Sequence, residues 1–273
     1  MSGDTKFSNK NKAPIGVFDS GVGGLSVLVE LKKILPHENF VFLADQKYVP
    51  YGEKTKKELI ELGYRVTNYL IKKHKIKMMV VACNTSTVNS VNELRARYSL
   101  PIVGTVPAVK PAAEQTKTGT LAIISTPATA KSAILKELIE NHCKGVKVLV
   151  IGCKNLEDTV EKGDLKSAKT NNLLKKYLKQ VVNSDADCLV LGCTHYPFLK
   201  NPIQKIVGEK VKLIDGNIGI AKQTANLLIK NSLKNIQRKS GEIQYFTTKD
   251  APKFEKVAGS LLKTKIVAFS AHL

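Results

Sequence analysis

The chain has 273 residues, 43% of them apolar, enough to bury a real core in one large or two modest domains. Its net charge is +20, yet only four of its 43 basic residues are arginines (Arg65, Arg95, Arg97 and Arg238) and the lysines are dispersed, which argues against a nucleic-acid partner. No apolar run reaches the ~18 residues of a membrane span, and five cysteines at irregular spacing, with no CxxC pair, argue against both a disulfide framework and a structural zinc site.

Residues 1–13 are polar and mixed, lack the apolar stretch of a signal peptide, and are expected to be a disordered leader on a cytoplasmic protein. A short apolar run at 15–19 follows, then the glycine cluster Gly21, Gly23 and Gly24, then helical spacing over 25–35 stopped by Pro36. Residues 40–44 read as a strand and 54–73 as a long amphipathic helix. The continuous apolar run 78–82 has the pattern of a strand buried on both faces. A helix is expected over 84–98 and a further run over 101–106. The alternation then restarts, with strands at 120–125, 146–152, 187–192 and 212–215 and helices at 129–141, 171–183 and 218–230. Late strands are expected at 244–248 and 265–268, around a helix at 252–262. Strands alternating with helices predict an α/β fold with mainly parallel sheets covered on both faces.

Two strand ends in this alternation resemble each other. Val80-Val81-Ala82-Cys83-Asn84-Thr85 and Leu189-Val190-Leu191-Gly192-Cys193-Thr194-His195 each run from an apolar strand into Cys and then into hydrogen-bonding residues. The likeness suggests two similar halves. Ligands of open parallel sheets bind outside the carboxyl ends of the strands, so facing halves would aim both thiols into one cleft. Cys143, Cys153 and Cys188 read as buried small hydrophobes. Cys83 and Cys193 differ because each opens a turn or helix, and a helix N-terminus lowers a thiol's pKa toward the range useful for acid/base work. A single thiolate with His195 as base would suit a nucleophilic hydrolase. Two opposed thiols suit racemisation, which removes a proton from one face of a carbon and returns one to the other.

Other polar residues gather at strand ends. Asp19 and Ser20 begin DSGVGG, which reads as a cap and tight turn and lacks the spacing of a nucleotide loop. Pro50, Tyr51 and Gly52 form a turn signal, and Ser125, Thr126 and Thr129 precede a helix as caps or carboxylate holders.

Taken together, DSGVGG at 19–24, PYG at 50–52, ACNT at 82–85 and GCTHYP at 192–197 resemble the glutamate racemases of the aspartate/glutamate racemase family, in order and spacing, over residues 14–268. The resemblance implies two α/β domains, 14–106 plus 215–273 and 107–214, with the active site in the cleft between them. It implies interconversion of L- and D-glutamate without pyridoxal phosphate, metal or other cofactor, supplying D-glutamate for peptidoglycan, by a homodimer with no membrane or nucleic-acid partner. Cys83 and Cys193 would be the two bases, with Asp19 assisting Cys83 and His195 assisting Cys193. Asp19, Ser20, Pro50, Tyr51, Gly52, Asn84, Thr85, Thr126, Thr129, Thr194 and His195 would contact substrate. The chain departs from the family over 153–163, where lysines and acidic residues replace an apolar, proline-containing stretch. Glu161 is the counterpart there of the family's acidic residue. An aspartate racemase of the same family, or a basic binding protein that keeps the fold, are the alternative readings.

Overall fold

The computed structural model describes residues 11–273, so the first ten residues of the expected leader lie outside the described residues. In chain order the elements are β1 (Ile15–Asp19), α1 (Leu25–Ile34), β2 (Phe40–Ala44), α2 (Lys56–His74), β3 (Met78–Val81), α3 (Asn84–Arg97) and β4 (Ile102–Gly104). They continue with α4 (Val109–Gln115), β5 (Thr120–Ser125), α5 (Pro127–Ala130), α6 (Ala133–His142), β6 (Lys147–Gly152) and α7 (Leu156–Glu161). Then come α8 (Ala168–Val182), β7 (Cys188–Leu191), α9 (Lys200–Val207), β8 (Lys212–Ile214), α10 (Asn217–Lys230), β9 (Ile243–Thr247), α11 (Ala251–Leu262) and β10 (Ala268–Ser270).

The described strands form two sheets, one of six in the order β10-β9-β2-β1-β3-β4 and one of four in the order β6-β5-β7-β8. Every pairing is parallel. All residues of β1, β2, β3, β5 and β7 are buried, as central strands covered by helices on both faces must be. One apolar cluster spans both sheets, from Val17 and Phe42 to Ile124, Leu191 and Tyr196, so the two halves share a core. A second cluster lies under α2 and α3, and a third under α4 and α6.

The strand order reverses twice, at β1 between β2 and β3, and at β5 between β6 and β7. Such switch points open a crevice at the carboxyl ends of the strands. The carboxyl ends of β1, β3, β5 and β7, with the residues just after them, carry Asp19–Ser20, Cys83–Thr85, Ser125–Thr126 and Cys193–His195. Topology alone therefore collects most of the candidate residues.

Several expectations need correction. The last strand covers Ala268–Ser270 instead of 265–268. Helix α11 ends on a left-handed Lys263, and pairing to β9 begins only at Ala268, opposite Tyr245. The expected helix 129–141 is two helices. Ser132 breaks it, because its hydroxyl both donates to Thr129 O and accepts from Leu135 N as a new cap. Helices α4, α7 and α9 were not expected; they have seven, six and eight residues, too few turns for a periodic signal.

Candidate active site

Cys83 follows β3 and is the N-cap of α3, where its Sγ accepts from Ser86 N at 3.4 Å. Ser20 Oγ lies 3.6 Å from the same sulfur and donates to Asp19 Oδ1 at 3.0 Å. Cys193 follows β7, and its Sγ lies 3.7 Å from His195 Nδ1. The other ring nitrogen, Nε2, meets Glu161 Oε1 at 2.7 Å. Both sulfurs belong to the wall of one pocket between the sheets, which also includes Ser20, Pro50, Tyr51, Gly52, Asn84, Thr85, Thr126, Glu161, Thr194 and His195. Two expected contact residues stand one layer back. Asp19 is fully buried and accepts from Thr194 Oγ1 at 2.9 Å, and Thr129 accepts from Thr126 Oγ1 at 3.1 Å.

Several polar contacts that join the two sheets gather at this site, buried or half-buried. Thr85 and Thr126 hydroxyls meet at 2.9 Å, Ser26 Oγ donates to Thr194 O at 2.8 Å, and Glu161 accepts from Val22 N at 2.6 Å and from Gln46 Nε2 at 2.7 Å. The glycines of DSGVGG permit this closeness. A Cβ on Gly21 would collide with the Glu161 carboxylate, and one on Gly23 with the His195 ring. The Tyr51 hydroxyl is engaged, donating to Asp45 Oδ2 at 2.6 Å. The Val49–Pro50 peptide is cis. The room at the centre is about 20 Å³ in this structure, close to that of a single water.

The electrostatics correct one expectation. Burial pushes both thiols above their ordinary value instead of letting the helix terminus lower them. Cys83 is raised further by the Asp19 charge, against the pull of Ser86 and Ser20. For Cys193, burial is opposed by His195. Burial alone would lower the His195 imidazole, but Cys193 and Glu161 outweigh it and hold it well above its usual value. Glu161 is largely shielded from solvent, which pushes it up, yet its bonds to His195, Gln46 and Val22 bring it below the usual carboxylate range. The Cys193 side is thus built around a cation and the Cys83 side is not.

Val49, Glu157 and Asp158 also line the pocket and were missed by the sequence reading. The latter two stand on α7, inside the departing segment 153–163, where a single turn and a half carries no readable face. All five cysteines are free thiols. Among the described residues, no group of three or more His, Cys, Asp or Glu could hold a metal ion, and no helix is long and apolar enough to cross a membrane.

Two buried thiols at matching strand ends of paired parallel sheets, sharing one pocket, define the architecture of the two-cysteine racemases. The chain belongs to the Asp/Glu/hydantoin racemase family, whose sequence model matches residues 30–224. It is 40% identical over 244 residues to the glutamate racemase of Herpetosiphon aurantiacus, covering 89% of this chain and 96% of that one. The crystal structure of a glutamate racemase isoform of Bacillus anthracis superposes with a TM-score of 0.86 at 30% identity, covering 96% of this chain and 98% of that one. The Francisella tularensis glutamate racemase in complex with D-glutamate superposes with a TM-score of 0.82 at 28% identity, covering 96% and 98%.

Proposed function

We propose that the chain interconverts L- and D-glutamate, with Cys83 and Cys193 as opposed acid/base groups, and so supplies D-glutamate for peptidoglycan. The observation that carries this reading is the pair of thiols on one pocket wall, at the same position in two switch-point sheets. The relatives named above are glutamate racemases, and one of them was crystallised with D-glutamate. We take residues 14–106 with 215–273, and 107–214, as the two domains, one around each sheet.

The chemistry follows from the asymmetry of the thiols. His195, held as imidazolium by Glu161, favours the Cys193 thiolate, while Cys83 keeps its proton beside Ser20 and Asp19. With L-glutamate, Cys193 takes the α-proton and Cys83 returns one to the opposite face. With D-glutamate the roles exchange. The α-carbon lies between the sulfurs, so its substituents meet the residues next to them in the chain. Asn84 and Thr85, at the start of a 14-residue helix, suit the α-carboxylate and the charge that develops on it. Thr194 on the pocket wall, whose hydroxyl is held by the Asp19 carboxyl behind it, suits the ammonium group. The side-chain carboxylate then falls to the wall formed by Pro50, Tyr51, Gly52 and Thr126. The first amides of the turn at Tyr51–Glu53 have no partner within it and suit an anion.

Because the thiols supply both proton transfers, no cofactor or metal is required. The test is direct: incubate the purified chain with L-glutamate and chelator and follow optical rotation, with L-aspartate in parallel. Rotation decaying to zero with glutamate supports the reading. No decay, decay only with aspartate, or activity restored only by metal or pyridoxal phosphate overturns it. The expected assembly is a cytoplasmic homodimer, checked by sedimentation.

A further inference from the structure

Glu157 has an unusual position for a carboxyl group. Its Oε2 is buried and has no hydrogen-bond partner, although the residue lines the pocket. It stands across the cleft from the Tyr51–Gly52 turn: a Cβ built on Gly52 would lie 3.5 Å from Thr126 Cβ and 3.7 Å from Glu157 Oε1. Leaving a buried carboxyl oxygen unpaired is costly, so such a group persists where a partner arrives with the ligand. If the chain acts on glutamate as proposed above, that partner is identifiable. The wall shared by Gly52, Thr126 and Glu157 is where the substrate's side-chain carboxylate falls. Two carboxylates side by side cannot both be ionised at low cost, so one of them holds a proton.

The surroundings decide which one. Glu157 faces Glu53 across the cleft, Thr126 in its own half, Asp158 and Glu161 on its own helix, Cys153 behind it, and Cys193, His195 and Tyr196 from the segment after β7. The cations nearby are already engaged. Lys154 pairs with Glu53 at 3.2 Å, and His195 is held by Glu161 and Cys193. Burial pushes the Glu157 carboxyl up, Asp158 and Glu53 push it further, and only its own backbone amide and His195 oppose them. The incoming carboxylate adds to the upward push.

We propose that Glu157 is a substrate-binding, specificity-determining residue, whose protonated carboxyl donates a hydrogen bond to the side-chain carboxylate of glutamate across the closed cleft. A neutral donor at this wall suits an anionic side chain and gives up no positive charge to do so. It also makes substrate affinity depend on pH through a group that takes no part in the proton transfers at the α-carbon. Affinity is full while Glu157 holds its proton and falls as pH rises through its raised titration.

The test is steady-state kinetics with L-glutamate from about pH 5 to 9, from just above an ordinary carboxyl to the ordinary thiol, for the wild type, Glu157→Gln and Glu157→Val. Wild-type KM should climb with pH. An amide donates at every pH, so in Glu157→Gln the climb should vanish, while the substrate's own titration stays common to both proteins. Glu157→Val should raise KM at the acid end by roughly tenfold, the worth of one bond to a charged group, with a smaller change in kcat. A merely structural role would not remove a pH slope. The same KM slope in Glu157→Gln as in wild type, or a wild-type KM in Glu157→Val at the acid end, overturns the proposal while leaving the racemase reading intact. A wild type that does not turn over glutamate overturns both.

Discussion

At the end of β3, Cys83 caps a 14-residue helix and touches only neutral groups, the Ser86 amide and the Ser20 hydroxyl, with the Asp19 carboxyl behind them. At the end of β7, Cys193 runs into a 3-10 turn and faces an imidazole braced by a buried carboxylate. Both strands are fully buried, both lie beside the central strand of a parallel sheet, and both enter Cys after an apolar run. The shared architecture fixes where each sulfur sits. It does not fix the protonation state, which comes from residues brought in by other elements: Ser20 from the loop after β1, Glu161 from α7. Racemisation in both directions needs one thiol ionised while its partner is protonated, a state that even two identical coupled thiols reach over part of the pH range. The inequality decides which sulfur more readily gives up its proton.

The strongest way to break the comparison is to disable each thiol separately. Cys83→Ser and Cys193→Ser should each lose about 10²–10⁴-fold in racemisation, since a hydroxyl is a poor base near neutrality. In deuterated water, Cys83→Ser should exchange the α-proton of L-glutamate without inverting it, and Cys193→Ser that of D-glutamate. Near wild-type inversion by either variant, measured by optical rotation, sinks the two-thiol mechanism.

The next test acts on one side only. Glu161→Gln keeps the shape and removes the charge that holds His195 as a cation. Losing a charge-assisted buried bond should cost about 1.5–3 kcal/mol, or roughly 10–100-fold in kcat/KM. The pH profile shows the cause. Activity needs one thiol ionised and its partner protonated, which gives a bell whose limbs belong to the coupled pair. The acid limb reports ionisation assisted by His195, and weakening that cation should move it to higher pH. The alkaline limb reports loss of the remaining proton, which burial and Asp19 hold on Cys83 well above the ordinary thiol range. A Glu161→Gln profile with an unmoved acid limb would detach His195 from the ionisation of Cys193. On the other side, Ser20→Ala removes a neutral contact to Cys83 and a bond to Asp19, brings in no change of charge, and should cost about 0.5–1.5 kcal/mol, at most roughly tenfold in kcat.

These predictions rest on residues of unequal legibility. The strands around both cysteines were readable because fully buried parallel strands are continuous apolar runs, and Cys83, Cys193, Asp19 and His195 sit within a few residues of their ends. Thr129 was readable as a cap but not as a residue one layer behind Thr126. Glu161 was visible only through resemblance, because the lysines around it give no local sign that its carboxylate reaches Val22 and Gln46 across the cleft and His195 within its own half. Glu157 was not visible at all, because a six-residue helix shows no face in sequence. The rise of the thiols was missed for a different reason. A helix N-terminus is a local feature and can be read from sequence, whereas desolvation depends on the second sheet closing over the first.

The smallest expected effect sharpens the comparison from outside. Lys154 and Glu53 form an ion pair at 3.2 Å that also spans the cleft, but their side chains are 64% and 54% exposed. Exposed pairs are screened and must order two long side chains, so they contribute roughly 0–1 kcal/mol. If the buried contacts Thr85–Thr126, Ser26–Thr194 and Glu161–Val22 hold the halves together, Lys154→Ala should leave kcat/KM within about twofold at moderate salt, with any loss shrinking as salt rises. Thr126→Val, nearly isosteric but without the hydroxyl that meets Thr85, should do more. It strands a buried partner, an effect of about 1–3 kcal/mol that salt does not screen. The opposite ranking in kcat/KM, with Lys154→Ala the more damaging and strongly salt-dependent, would place closure of the cleft at its exposed rim. The asymmetry between the two thiols would then depend on a surface charge, because the desolvation that raises them exists only when the cleft is shut.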